Sequence, residues 1–345
     1  MAAELPAAAA APRTLALCFL VGDADVPLSD AWAAWLATGA DAGGRNPRAR
    51  VFVHSAQYAA TPEARAHPAL AGAAASARFV PWERTSWGKF GIVRAQQRLF
   101  EAALAERDVA CCVLLSGDCA PLAPFDTVFE ALVGAGGAPP RRSLLAVEDG
   151  PLNTTHKRRE RSARDLERAA REHKDLAAWP ADWPWRWAVA SQWCALQRKE
   201  AELLRTGWPT LEACFDGADT PDEHAYAVFF RGALGGDAGF DECFERRGPI
   251  FVEWGAPDSE QAAAAAQCAT CREGDLEERR ECSPRTFHLA ELSPELVRGA
   301  RARGKLFVRK LCLASIRATG PSAADELCDR TWRLSDAEGE LKERE

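Results

Sequence analysis

Three short apolar runs, each ending in small polar residues, constrain this chain more than any other feature. Thr14 to Val21 stops at Gly22-Asp23, Arg50 to His54 runs into Ser55, and Cys111 to Leu115 stops at Ser116-Gly117-Asp118. Runs this short fall well below the ~20 apolar residues of a membrane span and read as buried strands. Phe79-Val80-Pro81 reads as another. Between Gly88 and Arg107, Ile92, Ala95, Leu99, Ala103 and Leu104 recur at helical spacing, with Arg94, Gln97, Arg98 and Glu101 on the other face. Phe125 to Val133 forms a further helix. The order strand, strand, strand, helix, strand, helix predicts an α/β fold with a mostly parallel central sheet flanked by helices. Ligands of such sheets lie beyond the carboxyl ends of the strands, so Gly22-Asp23-Ala24-Asp25, His54-Ser55 and Ser116-Gly117-Asp118 are expected to line one crevice.

The chain has 345 residues, 47% of them hydrophobic, enough for a large core, and its formal charge of -7 counts against a nucleic-acid binder. Residues 1–13, rich in Ala and Pro, are expected to be a disordered N-terminal segment. A secretory signal fits poorly there, because Arg13 follows the alanines, and no membrane segment is read in the chain. Residues 14–334 are expected to form one domain, and 335–345 is a charged tail. Of the 12 cysteines, Cys18, Cys111, Cys112 and Cys194 lie in strand-like runs and read as small hydrophobes. Cys268, Cys271 and Cys282 fit a disulfide, free thiols or part of a zinc site, although no second pair at metal-ligand spacing follows.

The second half carries denser chemistry. Arg141 to Lys174 is rich in charge and fits a solvated helix or a basic rim for an acceptor. A tryptophan-rich stretch, Ala178 to Trp187, precedes Ser191-Gln192-Trp193. Leu196 to Leu204 reads as helical, as does Leu292 to Arg303. Another helix is expected from Glu223 to Phe230, with Thr220 as its cap and Pro221 at its first position. Asp222 and Glu223 then fall in the first turn, where carboxylates complement the helix dipole and where one of them could serve as a general base. Thr220-Pro221-Asp222-Glu223-His224 lies between Ser191-Gln192-Trp193 and Phe251-Val252-Glu253-Trp254, two tryptophan-bearing segments suited to a sugar-binding cleft.

Taken in order, several segments carry a resemblance. They are Thr14 to Asp23, Val51 to Ser55, Trp87 to Leu104, Val113 to Leu122, Ala190 to Lys199, Thr220 to His224, Phe251 to Trp254, Ser283 to Phe287 and Leu306 to Lys310. The chain resembles the core-2/I-branching β-1,6-N-acetylglucosaminyltransferases, glycosyltransferase family 14, and looks closest to their plant-type members. The resemblance implies a GT-A-like fold and an inverting, metal-independent transfer of N-acetylglucosamine from UDP-N-acetylglucosamine, or of a related sugar, to a glycan or glycoprotein hydroxyl. It makes Glu223 the catalytic base and assigns the donor diphosphate to Arg285 and Lys310, whose charges would replace a metal ion. It further implies nucleotide or sugar contacts at His54, Ser55, Asp118, Ser191, Gln192 and Trp193, acceptor contacts at Glu253 and Trp254, no cofactor, and residence in the Golgi lumen.

The chain departs from the family in places. The aspartate that animal members carry after Cys-Gly-x aligns with Cys119, with Asp118 one position earlier, as in the plant-type pattern. Asp23-Ala24-Asp25 has the form of a metal-binding Asp-x-Asp, but it follows the first strand and reads as a cap or loop. Asn153-Thr154-Thr155 is a glycosylation sequon, meaningful only in the secretory pathway. Three alternatives stay open: a xylosyltransferase-like enzyme of the same fold, a glycan-binding protein without catalysis, and a zinc-stabilised interaction module built on Cys268, Cys271 and Cys282.

Overall fold

The computed structural model describes residues 13–23, 26–57, 70, 72–134, 141–148, 188–218, 220–253, 285–318 and 322–334. The basic stretch from His156, the tryptophan-rich stretch from Ala178 to Trp187, the sequon, Trp254 and the cysteines at 268, 271 and 282 lie outside the described residues.

The three apolar runs form the centre of the sheet. β1 (Thr14–Val21) pairs in parallel with β2 (Asn46–Ser55) on one side and with β4 (Val109–Ser116) on the other, and β3 (Ala74–Phe79) extends the parallel array beyond β2. Leu15 to Phe19 and Cys111 to Leu115 are fully buried, as a strand covered on both faces requires. Beyond β4 the pattern changes. β9 (Ala195–Gln197) is antiparallel to β4 and to β6 (Ser143–Leu144), and β10 (Phe244–Glu245) closes the edge, so the order is β3-β2-β1-β4-β9-β6-β10, while β7 (Val147–Glu148) and β8 (Val189–Ala190) form a separate antiparallel pair. The mostly parallel mixed sheet expected from the sequence is therefore present. The chain winds outward from β1 to β3 and returns to β4, which puts a topological switch point between β1 and β4.

Helix Gly91–Ala105 packs on β1, β2 and β4 and against helix Arg198–Thr206. Arg198 fastens this pair, donating to the backbone oxygens of Leu104, Glu106 and Val109. The sequence reading missed helix Ser29–Ala37 between β1 and β2. Its Ala31, Trp32, Trp35 and Leu36 are buried at helical spacing, a signal present in the sequence but masked by its brevity. Trp32 stands edge-on to Phe19 and to Trp35, and Trp35 donates its indole N–H to the Ala123 carbonyl oxygen (2.8 Å). Large aromatic area is thus buried without an unsatisfied donor on Trp35. Two further expectations need correction. Leu196 and Gln197 belong to β9, and the helix begins at Arg198. Residues 220–230 do not form one capped helix: a 3₁₀ turn, Pro221–Glu223, precedes helix Ala225–Ala233, and Thr220 makes no side-chain cap.

Cys18, Cys111, Cys112 and Cys194 are all fully buried in these strands, in keeping with their reading as small hydrophobes. Burial pushes the Cys119 thiol up to about 12 and that of Cys214 to about 11. Among the described residues, no helix is long and apolar enough to cross a membrane.

Candidate functional site

A small second sheet assembles the charged end of the site. β5 (Ala120–Pro121) runs antiparallel to β12 (Phe307–Val308), and β12 runs parallel to β11 (Ile250–Phe251). With Val308 opposite both Ala120 and Phe251, the residues leaving β11 and β12 and those entering β5 emerge on one side. These are Glu253, Arg309 with Lys310, and Asp118. A parallel bridge between Phe287 and Leu311, with Phe287 N–H bonded to the Lys310 carbonyl oxygen (2.7 Å), brings the Arg285 segment to the same place. Because Asp118 follows β4, the cluster stands at the switch point of the main sheet. There the β1 and β4 loops pack tightly, since a Cβ on Gly117 would lie 2.9 Å from Pro27 Cδ.

The electrostatics of the cluster are specific. Arg285 is largely buried, with a side-chain exposure of 16%, and donates through Nη1 to Glu253 Oε2 (2.6 Å) and through Nη2 to Glu291 Oε1 (2.8 Å), while its guanidinium lies 4.8 Å from the centroid of the Phe287 ring. Both arms of the fork are therefore held by carboxylates. Lys310 is exposed, and no described carboxylate pairs with it.

The sequence reading gave no role to Arg309, which does much of the positioning. Its Nε donates to Ser116 Oγ (3.1 Å) and lies 3.3 Å from Asp118 Oδ1, and its guanidinium stacks 4.8 Å from the Trp193 ring centroid. Ser116 in turn donates to Asp118. Backbone bonds from Arg309 N–H to the Phe251 oxygen and from Leu311 N–H to the Asp118 oxygen complete the lock around Lys310. Asp118 thus acts as the counter-ion that fixes the cation-bearing strand. The signal in the sequence was an Arg beside the lysine that the family pattern singles out.

Glu223 closes the Pro221–Glu223 turn and is half-buried. Thr220 holds the left-handed region (φ 46°), strained for a β-branched residue, and its N–H donates to the oxygen of Gly88, itself at φ 65°. Glu223 N–H donates back to the Thr220 oxygen (3.0 Å). Asp222 points inward: it is 8% exposed, and its Oδ1 has no hydrogen-bond partner. Burial, with a contribution from the charge of Glu223, pushes the Asp222 carboxyl up to about 6. His224 is buried beside it, with Nδ1 3.1 Å from the Ala188 oxygen. The turn therefore pairs one carboxylate facing inward with one at the surface, beside a rigid backbone.

The remaining predicted residues are placed less directly. His54 is fully buried, and its Nε2 accepts the Glu83 N–H (2.9 Å), so the ring pins the loop after β3; burial lowers its pKa. Ser55 donates to the Asp23 oxygen (2.6 Å) and ties the β1 and β2 ends together. Ser191 Oγ accepts the Trp193 N–H (3.2 Å), and Gln192 Oε1 accepts from Gln96 Nε2 (2.9 Å), which fixes the approach to β9 on helix Gly91–Ala105. Trp193 is 6% exposed and is covered by Arg309, so its face does not meet the surface. The structure brings Asp118, Trp193, Glu253, Arg285 and Lys310 into one neighbourhood. His54 and Ser55 lie at the same end of the sheet but point into protein. Among the described residues, no group of three His, Cys, Asp or Glu side chains could hold a metal ion; Asp25, of the Asp-x-Asp, lies outside them.

The family model for Branch, the Core-2/I-Branching enzyme, matches residues 46–299. That span includes Glu223, Glu253 and Arg285 and ends before Arg309 and Lys310. No curated protein matches the chain.

Proposed function

Starting from the chain's membership of the core-2/I-branching family of glycosyltransferases, whose mixed α/β fold agrees with a GT-A-like enzyme, we propose that it transfers N-acetylglucosamine or a related sugar from a UDP-sugar to a glycan hydroxyl, with inversion and without a metal ion. The observation that carries the proposal is the setting of Glu223. It is a half-buried carboxylate on a turn fixed by two backbone hydrogen bonds, which gives a general base a defined position. In the proposed step the acceptor oxygen attacks the anomeric carbon from the face opposite the diphosphate. Its proton passes to Glu223, and the bond from the anomeric carbon to the diphosphate oxygen breaks with its electron pair leaving on UDP.

Lys310, exposed beside the switch point, is suited to meet the growing charge of the diphosphate. Arg285 would join it by exchanging the Glu253 carboxylate on Nη1 for a phosphate oxygen, while Glu291 keeps Nη2. Glu253 would retain its other oxygen for an acceptor hydroxyl. The crevice beyond β1 and β4 would take the nucleotide, in the place where the sequence sets His54, Ser55 and Asp118. Golgi residence stays with the family and is part of the proposal.

The test is UDP release from several UDP-sugars with a panel of glycan acceptors, with and without EDTA, for the wild type and Glu223→Gln. Release that survives EDTA and falls by at least about a thousandfold in Glu223→Gln, with donor binding retained, is expected. EDTA-sensitive release would overturn the metal-free mechanism. Normal turnover in Glu223→Gln would remove Glu223 from it, and preference for UDP-xylose would change the sugar.

A further inference from the structure

Among the described residues, the large apolar side chains left exposed are Trp82 and Trp87, at 42% and 75%. Tryptophan is highly buried on average, so an indole displayed this far needs a reason. Both lie on the loop between β3 and helix Gly91–Ala105, and that loop is firmly held. Glu83 N–H binds His54 Nε2, the Trp82 indole N–H donates to the Ala56 oxygen (3.1 Å), and Arg98 Nε donates to Glu83 Oε1 (2.8 Å). Gly91 sits so close to the loop that a Cβ there would lie 2.1 Å from the Arg84 oxygen. Phe90, 3% exposed, anchors the far end against Trp208 at 5.6 Å between ring centroids. A segment pinned at so many points presents Trp87 to water at a fixed place on the surface.

The loop is also joined to the turn that bears the proposed base. The Gly88 oxygen, one residue after Trp87, accepts the Thr220 N–H (3.2 Å), and the Thr220 oxygen accepts the Glu223 N–H. We propose that Trp87 is a stacking platform for a pyranose ring of the acceptor glycan, holding the sugar that presents its hydroxyl to Glu223. A pyranose has an apolar C–H face rimmed by hydroxyls, and an indole offers a flat apolar area with little rotamer entropy to lose. The exposed Arg84, Ser86 and Lys89 supply a polar rim. The ring is assigned to the acceptor because the donor's charged end belongs with Lys310, whereas the group that must reach Glu223 is the acceptor hydroxyl. This assignment rests on the glycosyltransferase reading above.

Two measurements separate its failure from the failure of that reading. In steady-state kinetics Trp87→Ala raises the acceptor KM about tenfold and leaves the donor KM within about twofold, while Trp87→Phe recovers most of the loss. An unchanged acceptor KM, or a donor KM that rises equally, overturns the platform. The second measurement needs no turnover: saturation-transfer NMR with N-acetyllactosamine and cellobiose as neutral probes, on the wild type and Trp87→Ala. Transfer to ring C–H protons that disappears in Trp87→Ala supports the platform. Equal transfer to both proteins, or none to either, overturns it, whether or not any UDP-sugar is turned over. Unchanged melting temperatures in the two variants are the folding control.

Discussion

Replacing Asp222 with Asn should make this protein more stable at neutral pH, although it alters the turn that carries Glu223. Asp222 is 8% exposed, its Oδ1 has no hydrogen-bond partner, and its carboxyl is pushed up to about 6 from an ordinary value of 3.8. The charge of Glu223 adds to the effect of burial, and a backbone hydrogen bond to the carboxyl offsets only part of it. Tyr226 is itself buried with an unpartnered hydroxyl, and burial first, with a contribution from Asp222, raises its pKa well above the usual value. A shift of about two units corresponds to about 3 kcal/mol of disfavour for the ionised form in the folded state. The sign follows from proton counting. Between pH 4 and 6 the folded protein holds a proton on Asp222 that the unfolded chain has released, so stability falls as pH rises through this window and is flat above it. Asp222→Asn cannot ionise, so its stability relative to the wild type grows from near zero at pH 4 to at most about 3 kcal/mol above pH 6.5. For a domain of this size that is a rise of about 4 °C in Tm. Denaturant melts of both proteins at pH 4, 5, 6, 7 and 8 measure it. A difference between the two proteins that does not change with pH, or a variant less stable at pH 7.5, would refute the assignment of an ionised, unpaired Asp222.

Further outcomes follow from the packing and from the Arg285 pair. Gly91→Ala forces a Cβ into the Arg84 backbone oxygen and should cost about 2 kcal/mol or more, read as a drop in Tm; an unchanged Tm would mean that the loop yields freely. Glu253→Gln removes one carboxylate from Arg285. Because Glu253 is 43% exposed the pair is worth only about 0.5–1 kcal/mol, so the donor KM should fall about two- to fivefold, and a donor KM that stays put would show that Glu253 does not compete with the diphosphate.

Some of this molecule is written in local sequence. Continuous apolar runs ending in Gly-Asp, His-Ser and Ser-Gly-Asp determine buried parallel strands, because such runs have no polar face to offer water and their polar ends must leave the sheet. The amphipathic spacing from Ile92 to Leu104 determines the long helix against them, and the ordered motifs determine the family, which the match over residues 46–299 carries. Partnership between distant side chains lies beyond local pattern. Nothing near Trp193 announces that Arg309 covers its ring, nor near Arg285 that Glu253 takes one of its arms, since these pairs join segments that meet only when β5, β11 and β12 assemble; Glu291, six residues from Arg285, is its local partner. Thr220 and Pro221 read as a helix start, yet the Gly88 contact draws Thr220 into a left-handed turn, so that Asp222 faces the core and Glu223 the surface. The sequence alone determined which groups carry charge and which strands are buried, because those depend on residue type and periodicity. Only the tertiary structure decided which charges neutralise one another, which carboxylate is desolvated and which tryptophan meets water, because those energies depend on neighbours far away in the chain.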